Sequence, residues 1–155
     1  AYLLLGDVLS AQGKTDDAMA CYRRAAELNP DYADAAYNNM GIVLRSQGRI
    51  PEALSRYREA IRLNPRNVSA RMNMGNILVS QGQIEDGIGQ FRKVVQIDPG
   101  NTNALNRLGS ALLIQGKTAE AVIQFRKVLG IQPRDATALQ ALQYSEGRMR
   151  TTPPR

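Results

Sequence analysis

No histidine occurs in the 155 residues, and cysteine occurs once, as Cys21. The missing imidazole removes the usual general base, the Ser-His-Asp and Cys-His arrangements, and the commonest metal ligand. A single thiol forms no internal disulfide and identifies no compartment. Cys21 itself reads as a helix residue chosen for size. No apolar run approaches the roughly 18 residues of a membrane span. No basic-then-apolar leader stands at the start. No catalytic residue, cofactor or metal is expected, and the default expectation is a soluble, cytoplasmic chain.

What is present is an ordinary apolar share, sufficient for a core at this length, and a formal charge of +6. The charge is uneven: residues 1–33 are net acidic, while 34–67, 102–135 and the tail are basic. Nucleic acid is the first partner to test against such a balance. The arginines concerned, Arg23, Arg58, Arg92 and Arg126, recur at one position and read as a solvated face. No aromatic side chains interleave with them for base stacking. Neither nucleic acid nor a membrane is expected as partner. Gly13-Lys14-Thr15 and Gly116-Lys117-Thr118 match only the end of a phosphate-binding loop, because Val8 and Ala111 stand where its first glycine belongs. The pairs Asp16-Asp17 and Glu85-Asp86 sit near predicted helix starts, where they favour the helix dipole rather than acid–base chemistry.

The dominant signal is an internal repeat. Gln-Gly pairs occur at Gln12-Gly13, Gln47-Gly48, Gln81-Gly82 and Gln115-Gly116. Another glycine precedes each pair in fixed register, at Gly6, Gly41, Gly75 and Gly109, and a proline follows at Pro30, Pro65, Pro99 and Pro133. Between these landmarks apolar residues follow helical spacing. Leu9, Leu44, Leu78 and Leu112 follow the first glycine; Ala18, Ala53, Gly87 and Ala121 and then Tyr22, Tyr57, Phe91 and Phe125 mark the second half. Each period therefore predicts two amphipathic helices joined by a glycine turn, the second closed by proline. The helical glycines predict a close partner helix, with the small residue of the second helix as the opposing surface and the aromatic wedged between successive hairpins.

This pattern resembles the tetratricopeptide-repeat (TPR) family over residues 1 to about 149. The resemblance implies an all-α, right-handed superhelix: a TPR solenoid of four helix-turn-helix repeats with a C-terminal capping helix. It gives a single domain over 1–149, with repeats at about 1–33, 34–67, 68–101 and 102–135, the capping helix at 136–149 and a disordered tail at 150–155. Ala138, Leu139, Ala141 and Leu142 form the apolar stripe of the capping helix. The stretch from Pro30 to Gly41 is one residue longer than its counterparts, which predicts an extra loop residue before the second hairpin. Gly87 and Gly89 predict that the second helix of the third hairpin is the least stable. The start lacks a polar cap over Leu3, Leu4 and Leu5; either repeats precede it in a longer protein, or another copy covers it by self-association.

In this family a groove lined by first helices takes a protein or extended peptide, which implies a scaffold or adaptor. Its positions here are Asn38, Asn39, Ile42, Arg45, Met72, Asn73, Asn76, Asn103, Asn106 and Arg107. Asparagine is a poor helix residue, so its recurrence on one face suggests use. An amide carries donor and acceptor together and matches a peptide unit. Asn39 and Asn73 are also similar to the repeat arrays that precede O-linked N-acetylglucosamine transferase domains; that likeness implies the alternative of a substrate-recognition region of a larger enzyme. Chaperone adaptors use a two-carboxylate clamp, of which this chain retains only Asn73 and Arg107, so a chaperone C-terminus is not the expected ligand.

Overall fold

A computed structural model describes residues 1–151. Its helices are α1 (Tyr2–Ala11), α2 (Thr15–Leu28), α3 (Ala33–Ser46), α4 (Ile50–Leu63), α5 (Val68–Ser80), α6 (Ile84–Ile97), α7 (Thr102–Ile114), α8 (Thr118–Ile131) and α9 (Ala136–Thr151). A short 3-10 turn, Pro30–Tyr32, precedes α3. Among the described residues there is no strand, and none of the helices is long and apolar enough to cross a membrane. The architecture is the expected all-α series of helix-turn-helix units.

The turns share one geometry. Gly48 has φ +74°, the left-handed region that a residue with a Cβ rarely enters. Its N–H donates to Arg45 O at 3.0 Å, and Arg49 N–H donates to Leu44 O at 2.9 Å. These two bonds satisfy carbonyls that the end of α3 leaves unpaired. Gly13, Gly82 and Gly116 repeat the arrangement. The second helices end at Leu28, Leu63, Ile97 and Ile131, two residues before each proline, as proline requires.

Helix starts explain the longer second repeat. Asn67, Asn101 and Asp135 cap α5, α7 and α9 by accepting from the N–H of Ala70, Ala104 and Ala138 at 2.8, 3.0 and 2.7 Å. At the equivalent place α3 has Ala33, which cannot cap. The 3-10 turn leads into α3 instead, anchored by Asn29 Oδ1 accepting from Asp31 N–H at 3.0 Å. The extra residue enters the helix: α3 has 14 residues where α5 and α7 have 13.

What faces the helical glycines differs from the expectation. A Cβ placed on Gly6, Gly41 or Gly109 would lie 2.5, 2.5 or 2.7 Å from the ring of Tyr22, Tyr57 or Phe125. The opposing surface is thus the aromatic of the same hairpin, not the small residue. Ala18, Ala53 and Ala121 are nevertheless fully buried. The rings also reach forward, as expected. Tyr22 packs with Ala36, Met40 and Val43 of α3, and Tyr57 with Ala70 and Ile77 of α5.

The chain divides into two compact units, Ala1–Ile77 and Leu78–Arg155, where the sequence is read as one domain. In a repeat array each hairpin contacts only its neighbours, so compact divisions need not follow repeat boundaries. Within the second unit, α9 packs on α7 and α8. Among the described side chains of α9, Ala138 and Ser145 are buried, with Ala141 and Leu142 half-buried. Leu139 is exposed, so it leaves the expected apolar stripe. Ser145 is accommodated by donating to Ala141 O at 2.6 Å. Residues 150 and 151, expected in the tail, belong to α9; residues 152–155 lie outside the described residues.

Two glycines give opposite predictions. Gly41→Ala gains helix propensity of about 1 kcal/mol but must displace a buried ring, an overpacking of about 1–3 kcal/mol, so urea denaturation should show net destabilisation. A methyl group on Gly89 would meet no neighbouring atom within 4 Å, and Gly89→Ala should stabilise by up to about 1 kcal/mol.

Candidate functional site

In the first unit, α1, α3 and α5 contribute a connected row of polar side chains. Asn73 Nδ2 of α5 donates to Asn38 Oδ1 of α3 at 3.1 Å. Asn38 Nδ2 donates to Asn39 Oδ1 at 3.1 Å. Asn39 Nδ2 donates to Asp7 Oδ1 of α1 at 2.8 Å. The Tyr22 hydroxyl reaches the same Asp7 oxygen, also at 2.8 Å. The series joins the first helices of three hairpins and ends on a carboxylate. Burial and the adjacent Asp7 push the Tyr22 phenol well above its ordinary range.

The expected groove residues take different places in this arrangement. Asn38 is 7% exposed; it is an internal link rather than a contact surface, because its neighbours consume both ends of its amide. Asn39 and Asn73 are half-buried, and Ile42 and Arg45 are exposed on α3. Met72 and Asn76 are half-buried on α5. Asn39 and Ile42 line a depression of about 270 Å³ with Asp7, Ser10, Ala11 and Tyr22. Asn103, Asn106 and Arg107 belong to the second unit. There Asn103 and Arg107 are exposed, and Asn106 donates to Asp135 Oδ1 at 3.2 Å. Asn106 Oδ1 is buried with no partner among the described residues.

An amide offers two N–H donors and two acceptor lone pairs. Asn39 spends one donor on Asp7 and one lone pair on Asn38. Its amide also stands at the Tyr22 hydroxyl, and an acceptor lone pair remains on Asn39 Oδ1 for a peptide N–H. Asn73 spends one donor on Asn38. The internal bonds thus fix the amides while leaving capacity for a ligand.

Asp7 and Tyr22, which anchor the row, were absent from the expected site. Their signal is a departure between repeats: the position after the first glycine reads Asp7, Ile42, Asn76 and Ser110, so only the first repeat has an acid there. The second helix supplies a tyrosine rather than phenylalanine in that repeat and the next.

Larger depressions lie elsewhere in the first unit. One of about 590 Å³ runs between α2 and α4 over Tyr37, Met40 and Leu44. Its charges are largely engaged with their own helices: Arg49 with Glu52 at 2.5 Å and Arg62 with Glu59 at 2.6 Å. Another, of about 600 Å³, is lined by Tyr2, Leu3, Leu4, Leu28 and Tyr32. Leu4 is 70% exposed there. On the arginine-bearing helices, Arg92 pairs with Glu120 at 3.1 Å and Arg126 with Glu146 at 3.4 Å. Such exposed pairs contribute little stability, but they engage part of the basic stripe with carboxylates of the following hairpin or helix.

Tetratricopeptide-repeat models match residues 1–66 in one form and residues 38–102 and 73–136 in another. The solved structure of YrrB, described as a TPR protein with an unusual peptide-binding site, is 25% identical with a TM-score of 0.79, over 96% of this chain and 76% of that one. A tetratricopeptide repeat protein from Parabacteroides merdae ATCC 43184 is 20% identical with a TM-score of 0.83, over 95% of this chain and 59% of that one. The first TPR of Spaghetti (RPAP3), solved with the HSP90 peptide SRMEEVD, is 19% identical with a TM-score of 0.72, over 76% of this chain and 94% of that one. These relatives lend no support to the transferase likeness. The comparison with curated proteins finds no match.

Tyr22→Phe should destabilise the protein by about 1–2 kcal/mol, through loss of a charge-assisted bond. The pH dependence has a definite sign. A phenol whose pKa is raised by folding stabilises the native state fully below its unfolded value, near 10.0, and progressively less above it. Stability measured by urea titration should therefore fall above pH about 10, and Tyr22→Phe should flatten part of that fall.

Proposed function

Because this chain belongs to the tetratricopeptide-repeat family, we propose that it is a non-catalytic binding module whose α1–α3–α5 face holds an extended segment of another protein. The observation that carries this reading is the row from Asn73 to Asp7, in which fixed amides retain a donor or acceptor for a peptide backbone. Contacts to backbone groups need little sequence preference, which suits a scaffold or adaptor. The absence of histidine agrees with a role in binding rather than proton transfer. Neither nucleic acid nor a membrane enters this reading.

A second reading, self-association, is favoured by one observation: Leu4, Leu5 and Val8 stand exposed on α1 beside the depression lined by Tyr2, Leu28 and Tyr32. The two readings use different surfaces and are tested separately.

For the first, a binder selected from a random peptide library is titrated against the wild type and the Asn39→Ala/Asn73→Ala double variant. Affinity should fall by about 1–2 kcal/mol, with a small loss of stability because these amides also bond internally. Unchanged affinity would count against the reading. For the second, light scattering of the wild type and Leu4→Asp should show an assembly that dissociates in the variant; monomers in both samples would remove self-association.

A further inference from the structure

The depression at the α1 end of the polar row contains an acid that no cation among the described residues answers. Asp7, Ser10, Ala11, Tyr22, Asn39 and Ile42 line it. Its volume of about 270 Å³ lies below the roughly 300–1,000 Å³ of sites for drug-sized ligands, so it suits a single side chain. Asp7 is exposed there. The Tyr22 hydroxyl of α2 and Asn39 Nδ2 of α3 both donate to one oxygen, Asp7 Oδ1, each at 2.8 Å. Two bonds from different helices thus fix the carboxylate. Its other oxygen, Oδ2, accepts from no side chain among the described residues.

Neutral donors satisfy the hydrogen bonding of a carboxylate without cancelling its charge. Asp7 makes no ion pair among the described residues, and no basic residue lines the depression. Arg45, one turn beyond Ile42 on α3, is exposed and does not pair with it. The surrounding repeat, residues 1–33, is net acidic in a chain whose formal charge is +6. The other walls suit the rest of a long basic side chain. Ser10 is half-buried and adds a hydroxyl oxygen, while Ala11 and Ile42 offer apolar surface to a methylene stem. The remaining first helices place Ile42, Asn76 and Ser110 at the position of Asp7. The acid therefore occurs once and marks one position along a bound segment.

We propose that Asp7 is the centre of a cation subsite, filled by an ammonium or guanidinium group of the bound segment. The cation donates to Asp7 Oδ2 and to Ser10 Oγ, forming the charge-assisted bond that the protein itself does not supply. The lone pair on Asn39 Oδ1 stays available to a backbone N–H of the same segment. The inference rests on the peptide-binding reading and specifies its ligand as basic at one position. The cation is either a Lys or Arg side chain or the peptide's N-terminus.

The test uses the full chain and two random peptide libraries, one with free and one with acetylated N-termini. Lys or Arg enriched at one position in the acetylated library identifies a side chain; binding confined to the free-amine library identifies the N-terminus. The selected peptide should bind the wild type about fivefold more tightly than its neutral counterpart, the upper range for an exposed ion pair. Added salt should shrink that preference. Asp7→Asn keeps an acceptor for Tyr22 and Asn39 but removes the charge, and should remove most of the preference. Ile42→Lys places a cation in the depression with Asp7 intact, and should remove it too; this variant decides the question if Asp7→Asn fails to fold. Peptides bound without basic preference, or a preference that survives in folded Asp7→Asn or in Ile42→Lys, would overturn the subsite and leave the peptide reading intact. No bound peptide from either library would overturn both.

Discussion

An aromatic ring lying across a glycine is the contact on which the hairpins depend. Tyr22 covers Gly6, Tyr57 covers Gly41 and Phe125 covers Gly109, each at a distance that leaves no room for a methyl group. The glycine sacrifices helix propensity of about 1 kcal/mol. In return a large ring is removed from water, and burial of that size is the dominant favourable contribution in folding. The same ring then forms part of the surface on which the next first helix packs, as Tyr22 does for Ala36, Met40 and Val43. One side chain thus closes its own hairpin and orients the following one.

That contact also determines what meets the polar row on α1 and α3. Passing over Gly6, the Tyr22 ring carries its hydroxyl to Asp7 of α1, whereas the Tyr57 hydroxyl beyond Gly41 stays buried. Where the residue is phenylalanine the passage ends in carbon. Where it is tyrosine a hydroxyl is delivered, and the local sequence decides its fate. Asp7 accepts the hydroxyl of Tyr22, and Asn39 joins from the next hairpin. Ile42 cannot accept that of Tyr57. A packing device repeated for stability therefore becomes chemically distinct from repeat to repeat through one residue on the neighbouring helix.

Polar side chains reinforce the links between hairpins. Gln47 Nε2 donates to Thr15 Oγ1 at 3.0 Å, and Gln115 reaches Glu85 in the same way. Asn64 and Asn67 both donate to Asp34 Oδ2, at 2.7 and 2.9 Å. At Gln47 and Gln115 the glutamine of the Gln-Gly landmark is thus more than part of a turn, since its side chain bridges back to the preceding hairpin. Such bonds are individually modest, but they recur where hairpins meet and restrict how one rotates on the next.

The sequence by itself determined the helices, their turns and their order, because these follow from local rules. Gly13, Gly48, Gly82 and Gly116 permit the left-handed turn, each proline stops a helix, and apolar spacing selects the inward face. It also located the row of asparagines, since Asn39 and Asn73 recur at one position of the repeat. Tertiary structure alone decided that Asn38 is an internal link, that Leu139 faces outward, and that Gly41 accommodates Tyr57 rather than an alanine. It likewise decided that Asp7 anchors the row while Tyr57 is left unpaired. Those outcomes depend on which side chains from different hairpins come within about 3 Å of one another. Helical periodicity specifies a face and a register along one element, but not the atom that arrives opposite from another.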